Sequence, residues 1–284
     1  MVAYDKGVAF ENTTLPDIVE LKKINMIYED AFGHKNHVIK DLDLLIEDKP
    51  GQGQFVVVLG LSGCGKSTVL RFICGLQKPT SGEVLIKGVP RTDKIRIGMV
   101  FQQYSSYPWL SVLDNVALGL MYKGVEKKER HAKAMEMIKL VGLEGHEKKY
   151  AQYPILSGGQ LQRVAIARSL ANDPEILLMD EPFGALDLNT RLQMQDLLCD
   201  IWTKLKSTII FVTHDLPEAV YLGDDIYIMR ANPGMIVEKI DTGLPLERDK
   251  AIKRTSKFMD KVNYIENKMI EIHHFMGTEK QSKK

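Results

Sequence analysis

A lysine preceded by spaced glycines and followed by two hydroxyls stands at Gly60-Leu61-Ser62-Gly63-Cys64-Gly65-Lys66-Ser67-Thr68. Glycines let backbone N–H groups wrap an anion with no side chains in the way. Lys66 then offers a compact positive charge to β- and γ-phosphates, and the Ser67 hydroxyl is a hard oxygen ligand for Mg²⁺. Such a pattern gains meaning when a strand leads into it and a helix leads out. The runs "FVVVLG" (55–60) and "VLRFICGL" (69–76) supply both.

Two carboxylates end the apolar run "ILLMDE" (176–181). A buried strand that delivers charge at its C-terminal end places it where open parallel sheets hold their ligands. There Asp180 is suited to hold Mg²⁺ through water, and Glu181 to orient and deprotonate an attacking water. His214 closes "TIIFVTH" and Gln102 closes "IGMVFQ", each where a strand leaves the sheet. A lone histidine is more often structural than catalytic, but a shared sheet edge favours a hydrogen bond from His214 to the γ-phosphate or the water. The Gln102 amide is placed to reach Mg²⁺ or that same water.

A third element is "LSGGQLQRVAIARSL" (156–170). Leu161, Val164 and Ala165 recur at helical spacing, which predicts a helix from about Leu161 with Ser157 capping its start. A helix N-terminus preceded by Ser-Gly-Gly exposes unsatisfied N–H groups and a positive dipole end, which suits an anion.

The elements that must position these groups follow from periodicity. Short β-rich runs at 55–60, 83–88, 95–102, 175–182, 208–215, 224–230 and 234–240 alternate with helical patterns, predicting an α/β domain with a largely parallel sheet. Between 110 and 170 no strand is apparent. One helix there is capped by Ser111-x-x-Asp114 and carries Leu113, Val116, Ala117, Leu120 and Met121; a second carries Ala134, Met137, Ile138 and Val141 before Gly142. After Asp187, Met194, Leu197, Leu198, Ile201, Trp202 and Leu205 form one apolar face for packing on the sheet. Phe258, Val262, Ile265, Met269 and Ile272 repeat at 4-3-4-3 spacing, which fits a helix docked on the domain better than a short coiled coil, and "GTEKQSKK" reads as a frayed tail.

The 284 residues allow one large domain or a domain plus subdomain. A formal net charge of +1 gives no global electrostatic case for nucleic acid. No apolar run approaches the ~18 residues of a membrane span, and "MVAYDKGVAF" lacks a signal-peptide pattern, so a chain that is soluble and not exported is expected. Three scattered cysteines, Cys64, Cys74 and Cys199, fit a reducing cytosol better than a disulfide framework. Cys64 sits at a helix N-terminus beside Lys66, an environment expected to lower its pKa and make it a target for alkylation against which ATP protects.

In their order, the phosphate loop, "VFQ", "LSGGQ", "LLMDEP", "ALD" and "THD" closely resemble the ATPase subunits of ATP-binding-cassette (ABC) transporters over about residues 20–240. The resemblance implies a P-loop NTPase core with a largely parallel sheet, an N-terminal antiparallel β subdomain and an all-helical insertion carrying "LSGGQ". It implies an ATPase domain over 18–245 with the helical subdomain at about 105–170, then a C-terminal helical extension and tail at 246–284. Two copies, or this chain and a paralogous ATPase, would pack head to tail around two Mg-ATP. Ser157, Gly158, Gly159 and Gln160 of each would then face the nucleotide held by the other's phosphate loop.

The resemblance extends further, residue by residue. Tyr28 is similar to the family's adenine-stacking aromatic, with Phe32 as a rival. Asp187 in "GALD" is similar to the interface-crossing loop, and Gln102 to the switch residue that links nucleotide to the membrane partner. Segments 105–120 and 232–245 look most like the nitrate/sulfonate/taurine importer branch. Implied partners are transmembrane permease subunits and, indirectly, a solute-binding protein, at the cytoplasmic face of the membrane and without nucleic acid. Tyr107, Pro108 and Trp109 are candidates either for the permease contact or for local packing. Two departures stand out: only Ile155 separates Pro154 from "LSGG", and Gly184 replaces a serine frequent in the crossing loop. A non-transport cassette acting on DNA or ribosomes is the alternative, though neither long coiled-coil insertions nor a second cassette is present. A P-loop kinase or GTPase leaves "LSGGQ" unexplained.

Overall fold

A computed structural model describes residues 16–49, 53–92, 95–205 and 207–281. Two sheets are stacked. In the first, β1 (Val19–Glu29) lies between β2 (Lys35–Ile46) and β4 (Ser81–Ile86), with β5 (Val89–Pro90) at the edge, all antiparallel. The apolar run at 83–88 therefore belongs to this sheet and not to the parallel one.

The second sheet has the order β10, β9, β3, β8, β7, β6, made by Met235–Asp241, Asp225–Arg230, Phe55–Gly60, Thr208–Thr213, Ile176–Asp180 and Ile97–Val100. All its pairings are parallel except β10 on β9. β3, β7 and β8 are buried along their whole length, as expected of strands covered on both faces. Alternation then divides the core. Phe55, Val57 and Leu59 face one side; Val56 and Val58 face the other, toward α1 (Lys66–Cys74) and the antiparallel sheet.

The first side carries α5 (Leu188–Leu205), α6 (Leu216–Leu222) and α7 (Ser256–Gln281). Of the apolar face expected on α5, Met194, Leu198, Ile201 and Trp202 are buried and Leu197 partly so, while Leu205 is exposed at the helix end; Trp202 meets Phe55 edge-on at 5.7 Å between ring centroids. α7 is a docked helix: Phe258, Val262 and Ile265 are buried in the main core, with Met269 and Ile272 packed against it. Contrary to the expected frayed tail, the helix runs on past Gly277 to Gln281, since one interior glycine costs only about 1 kcal/mol. Residues 282–284 lie outside the described residues.

Between β6 and β7 the chain forms α2 (Val112–Tyr122), α3 (Lys127–Leu140) and α4 (Gly158–Leu170). Ser111 caps α2 by accepting from the Asp114 N–H at 3.0 Å, as its spacing predicts. α4 starts three residues earlier than periodicity suggested, because Ser157 and Gln160 form a reciprocal capping box that draws both glycines into the first turn. Among the described residues, no helix is long and apolar enough to cross a membrane.

Candidate functional site

The C-terminal ends of β3, β7 and β8 bring their side chains to one place. Lys66, at the start of α1, donates to the carbonyls of Gly60 (2.8 Å) and Leu61 (3.1 Å) and lies 3.2 Å from Glu181 Oε1. The other carboxylate oxygen of Glu181 is 3.0 Å from His214 Nδ1. Ser67 donates its hydroxyl to Asp180 Oδ1 at 2.8 Å. Five residues from three separate stretches of the sequence thus form one contiguous cluster.

Local backbone explains the loop. A Cβ on Gly60 would sit 2.4 Å from the Met229 carbonyl oxygen and 2.9 Å from Cys64 Sγ, so only glycine fits where the loop leaves β3 against β9. Leu61, Ser62 and Gly63 form the exposed rim, Thr68 is half-buried in the first turn of α1, and Cys64 is tucked beneath. The expected low pKa of Cys64 is not what this environment produces. Burial pushes the thiol up and outweighs the opposing effect of Lys66.

The carboxylates occupy different environments. Asp180 is buried at the strand end, and burial raises its pKa despite the Ser67 hydrogen bond. Glu181 has φ 42°, a left-handed conformation that costs a non-glycine residue roughly 1–2 kcal/mol. Its N–H is held by the Val212 carbonyl at 3.0 Å, and its own carbonyl accepts from Gly184 at 3.2 Å. That backbone outlier, invisible in the sequence, turns the carboxylate toward Lys66 and His214.

Gln102 is exposed, with its amide nitrogen beside Gly184, so the end of β6 meets the loop after Glu181. Asp187 caps α5: its carboxylate accepts from the Thr190 N–H at 3.0 Å, and hydrogen bonds from the Thr190 side chain and backbone hold its pKa down. Tyr28 is partly exposed on β1 and its hydroxyl accepts from Gln77 Nε2 at 2.7 Å, whereas Phe32 stands 86% exposed in the β1–β2 turn.

The turn at Ser157 is exposed, and its two glycines have a reason within their own chain. A Cβ on Gly158 would lie 2.3 Å from the Tyr104 hydroxyl, and one on Gly159 would lie 2.5 Å from Thr190 Cγ2. Among the described residues no hydrogen bond or ion pair joins Ser157, Gly158, Gly159 or Gln160 to the phosphate loop of the same chain.

A cavity of about 600 Å³ opens beside Gln102, lined in part by Phe101, Tyr107, Tyr122, Arg96, Lys123 and Arg168. Among the described residues no carboxylate lines it. Tyr107 and Trp109 are exposed with ring centroids 5.2 Å apart, and Pro108 between them is exposed.

Residues 46–184 match the family model described as ABC transporter. The chain is 44% identical to the taurine import ATP-binding protein of Rhizobium johnstonii (79% of this chain, 84% of the relative). It is 42% identical to the nitrate import ATP-binding protein of a Synechocystis species (84% and 88%). It is 45% identical to the aliphatic sulfonates import ATP-binding protein of Bacillus subtilis (79% and 86%). A dimeric bacterial ABC transporter cassette superposes with TM-score 0.67 at 35% identity, covering 78% of this chain and 98% of that one. A second structure of that cassette is described as a dimeric post-hydrolysis state bound to ADP and phosphate, with the same score and coverage.

The chain belongs to the ABC transporter family, among its ATP-binding proteins, and is an ATPase. Its relatives agree with the branch that segments 105–120 and 232–245 resemble.

Proposed function

We propose that this chain is the ATP-hydrolysing subunit of an importer for a nitrate-, sulfonate- or taurine-type small anion, working as a head-to-tail pair around two nucleotides. The observation that carries the reading is the single Glu181 carboxylate in contact with both Lys66 and His214, 3.2 and 3.0 Å away. Residues 60–68 cradle the phosphates of ATP, with Lys66 on the β- and γ-phosphates and Tyr28 against the adenine. Glu181 accepts a proton from water as the water oxygen bonds to the γ-phosphorus. The bond from that phosphorus to the β–γ bridging oxygen breaks and ADP leaves. His214 holds Glu181 on one side and reaches the γ-phosphate on the other.

Ser67, Asp180 and Gln102 present oxygen donors of the kind Mg²⁺ prefers, and would hold it. The ion supplies charge neutralisation on the phosphates. The partner copy provides the second half through Ser157, Gly158, Gly159 and Gln160, a helix start with Ser157 exposed and a positive dipole end that suits an anion, and Asp187 lies at the crossing. ATP closes the pair because its γ-phosphate gains donors from both chains, and hydrolysis removes that link.

The ATPase unit spans 18–245, with its helical part at about 105–170 and an extension at 246–284. Transmembrane permease subunits dock at the cavity beside Gln102, which Arg96, Lys123 and Tyr107 help to line, and reach the exposed Pro108 and Trp109 that follow Tyr107. A solute-binding protein acts through the permease, and nucleic acid is no partner. The chain works at the cytoplasmic face of the membrane. Co-purification with a permease from detergent-solubilised membranes, lost on reversing charge at Arg96 and Lys123, tests the reading. Recovery with ribosomes or DNA in place of a permease contradicts it.

A further inference from the structure

Behind His214 lies a chain of polar side chains that hydrolysis as described does not use. His214 is flanked by Thr213 and Asp215, and both are tied to Glu218. The Thr213 hydroxyl donates to Glu218 Oε2 at 2.5 Å and accepts from the Asp215 N–H at 3.0 Å, while Asp215 Oδ1 accepts from the Glu218 N–H at 2.9 Å. Glu218 is only 4% exposed. A carboxyl group so buried must have its acceptors filled, and the second is filled by Gln195 of α5, whose Nε2 donates to Oε1 at 3.1 Å. The amide oxygen of Gln195 in turn accepts from Lys253 Nζ at 2.8 Å.

Lys253 lies in a short 3-10 helix (Lys250–Arg254) that follows β10 and precedes α7. Its ammonium sits 3.6 Å from the centroid of the Tyr221 ring and 4.0 Å from Asp196 Oδ1. The segment is fastened nearby by Arg248, which donates to the carbonyls of Tyr221 and Gly223 and pairs with Asp224 at 2.7 Å.

The chemistry allows only one orientation of the connecting amide. An ammonium can only donate, so Gln195 must turn its oxygen to Lys253 and its nitrogen to the Glu218 carboxyl, and each link specifies the next. A branch reaches the loop before Asp187: Arg191 lies 3.5 Å from Asp215 Oδ2 and donates to the Leu186 carbonyl at 3.1 Å.

We propose that Lys253, Gln195 and Glu218 are positioning residues that hold the His214 turn, so that the segment after β10 sets the rate of hydrolysis. The inference rests on the role of His214 given above. It places in the C-terminal extension a control on catalysis that acts through side chains touching neither nucleotide nor water.

Steady-state hydrolysis and direct ATP titration on the full chain test it. Glu218→Gln can keep an oxygen opposite Gln195 only by turning its amide nitrogen to Thr213, whose hydroxyl must then accept where it now donates; the alternative is a flipped Gln195 that presents its nitrogen to Lys253, and either way an ordered link behind His214 is lost. Turnover is expected to fall about ten- to a hundredfold while ATP affinity stays within about twofold. Exchanging the two groups, in Gln195→Glu with Glu218→Gln, restores a compatible order of donors and acceptors, and most of the turnover should return. Lys253→Met, at a half-buried site, should show the same loss in turnover without loss of affinity, and carries the test should Glu218→Gln fail to fold.

Wild-type turnover in Lys253→Met or in a folded Glu218→Gln overturns the proposal. So does an exchange variant no better than the single one. His214→Ala in the same assay separates the two levels: full activity there removes the functional reading itself, whereas its loss beside unaffected Lys253→Met and Glu218→Gln removes the positioning role alone.

Discussion

The Lys66 ammonium and the Glu181 carboxylate face one another at 3.2 Å, with side chains 3% and 13% exposed. Charges so far from water interact strongly and are costly to separate. The residue proposed to grip phosphate and the one proposed to activate water are therefore coupled in the folded chain, and Gly60 and Leu61 supply the remaining acceptors of Lys66.

Replacing Lys66 with alanine removes this cation from both its carbonyl acceptors and Glu181. Hydrogen bonds to charged groups are worth about 1.5–3 kcal/mol, so ATP affinity should fall at least about tenfold by calorimetric titration. Unchanged affinity contradicts the cradle.

Cys64 is 1% exposed and its thiol is pushed up by burial, so iodoacetamide should leave it unmodified in the folded chain near neutral pH, whether or not ATP is present. Labelling should appear only on unfolding, read by mass spectrometry of the peptide containing Cys64. Rapid labelling of the native chain that ATP blocks restores the low-pKa expectation.

α7 contributes to the core through Ile265, which is fully buried. Ile265→Ala should cost about 2–5 kcal/mol, read from urea unfolding midpoints, with the slope unchanged. A cost near zero means that the helix is not docked in solution.

Glu175 is held below the usual carboxylate range by its hydrogen bond with Lys87, with Arg96 3.6 Å away adding to the effect. A lowered folded pKa contributes stability above the unfolded value and loses it as pH falls through the folded one. At this partly exposed site the contribution is at most about 1 kcal/mol. Glu175→Gln should thus be slightly less stable than the parent at about pH 7, and the gap should close below about pH 4. A gap that widens on acidification refutes the assignment.

The parts legible in the sequence are those that periodicity and loop chemistry determine. β3, β7 and β8 are apolar runs of strand length that end in Gly60, Asp180 and Thr213, and Ser111 and Ser157 advertise helix starts by local hydrogen bonding. Distant packing was not legible. The run at 83–88 reads like any other strand, yet its partner is β1 through Leu21 and Val84. The sequence misleads at Cys64, because its neighbours in the chain show its charge environment and not its burial, which is the larger effect. Glu181's left-handed backbone depends on the strand and loop that grip it. Gln195 and Glu218 are not legible in the sequence: the period after Asp187 shows only an apolar face, no helix is predicted at 216–222, and a buried polar pair shows itself only when two helices pack together.

Glu181→Gln with ATP and Mg²⁺ tests the central claim, that each of two copies completes the other's site. Turnover should drop by about 10²–10⁴, and size-exclusion chromatography with light scattering should show a dimer only when ATP is present, abolished by Ser157→Arg. A monomer that binds ATP with full affinity, or a dimer indifferent to both ATP and Ser157→Arg, contradicts it.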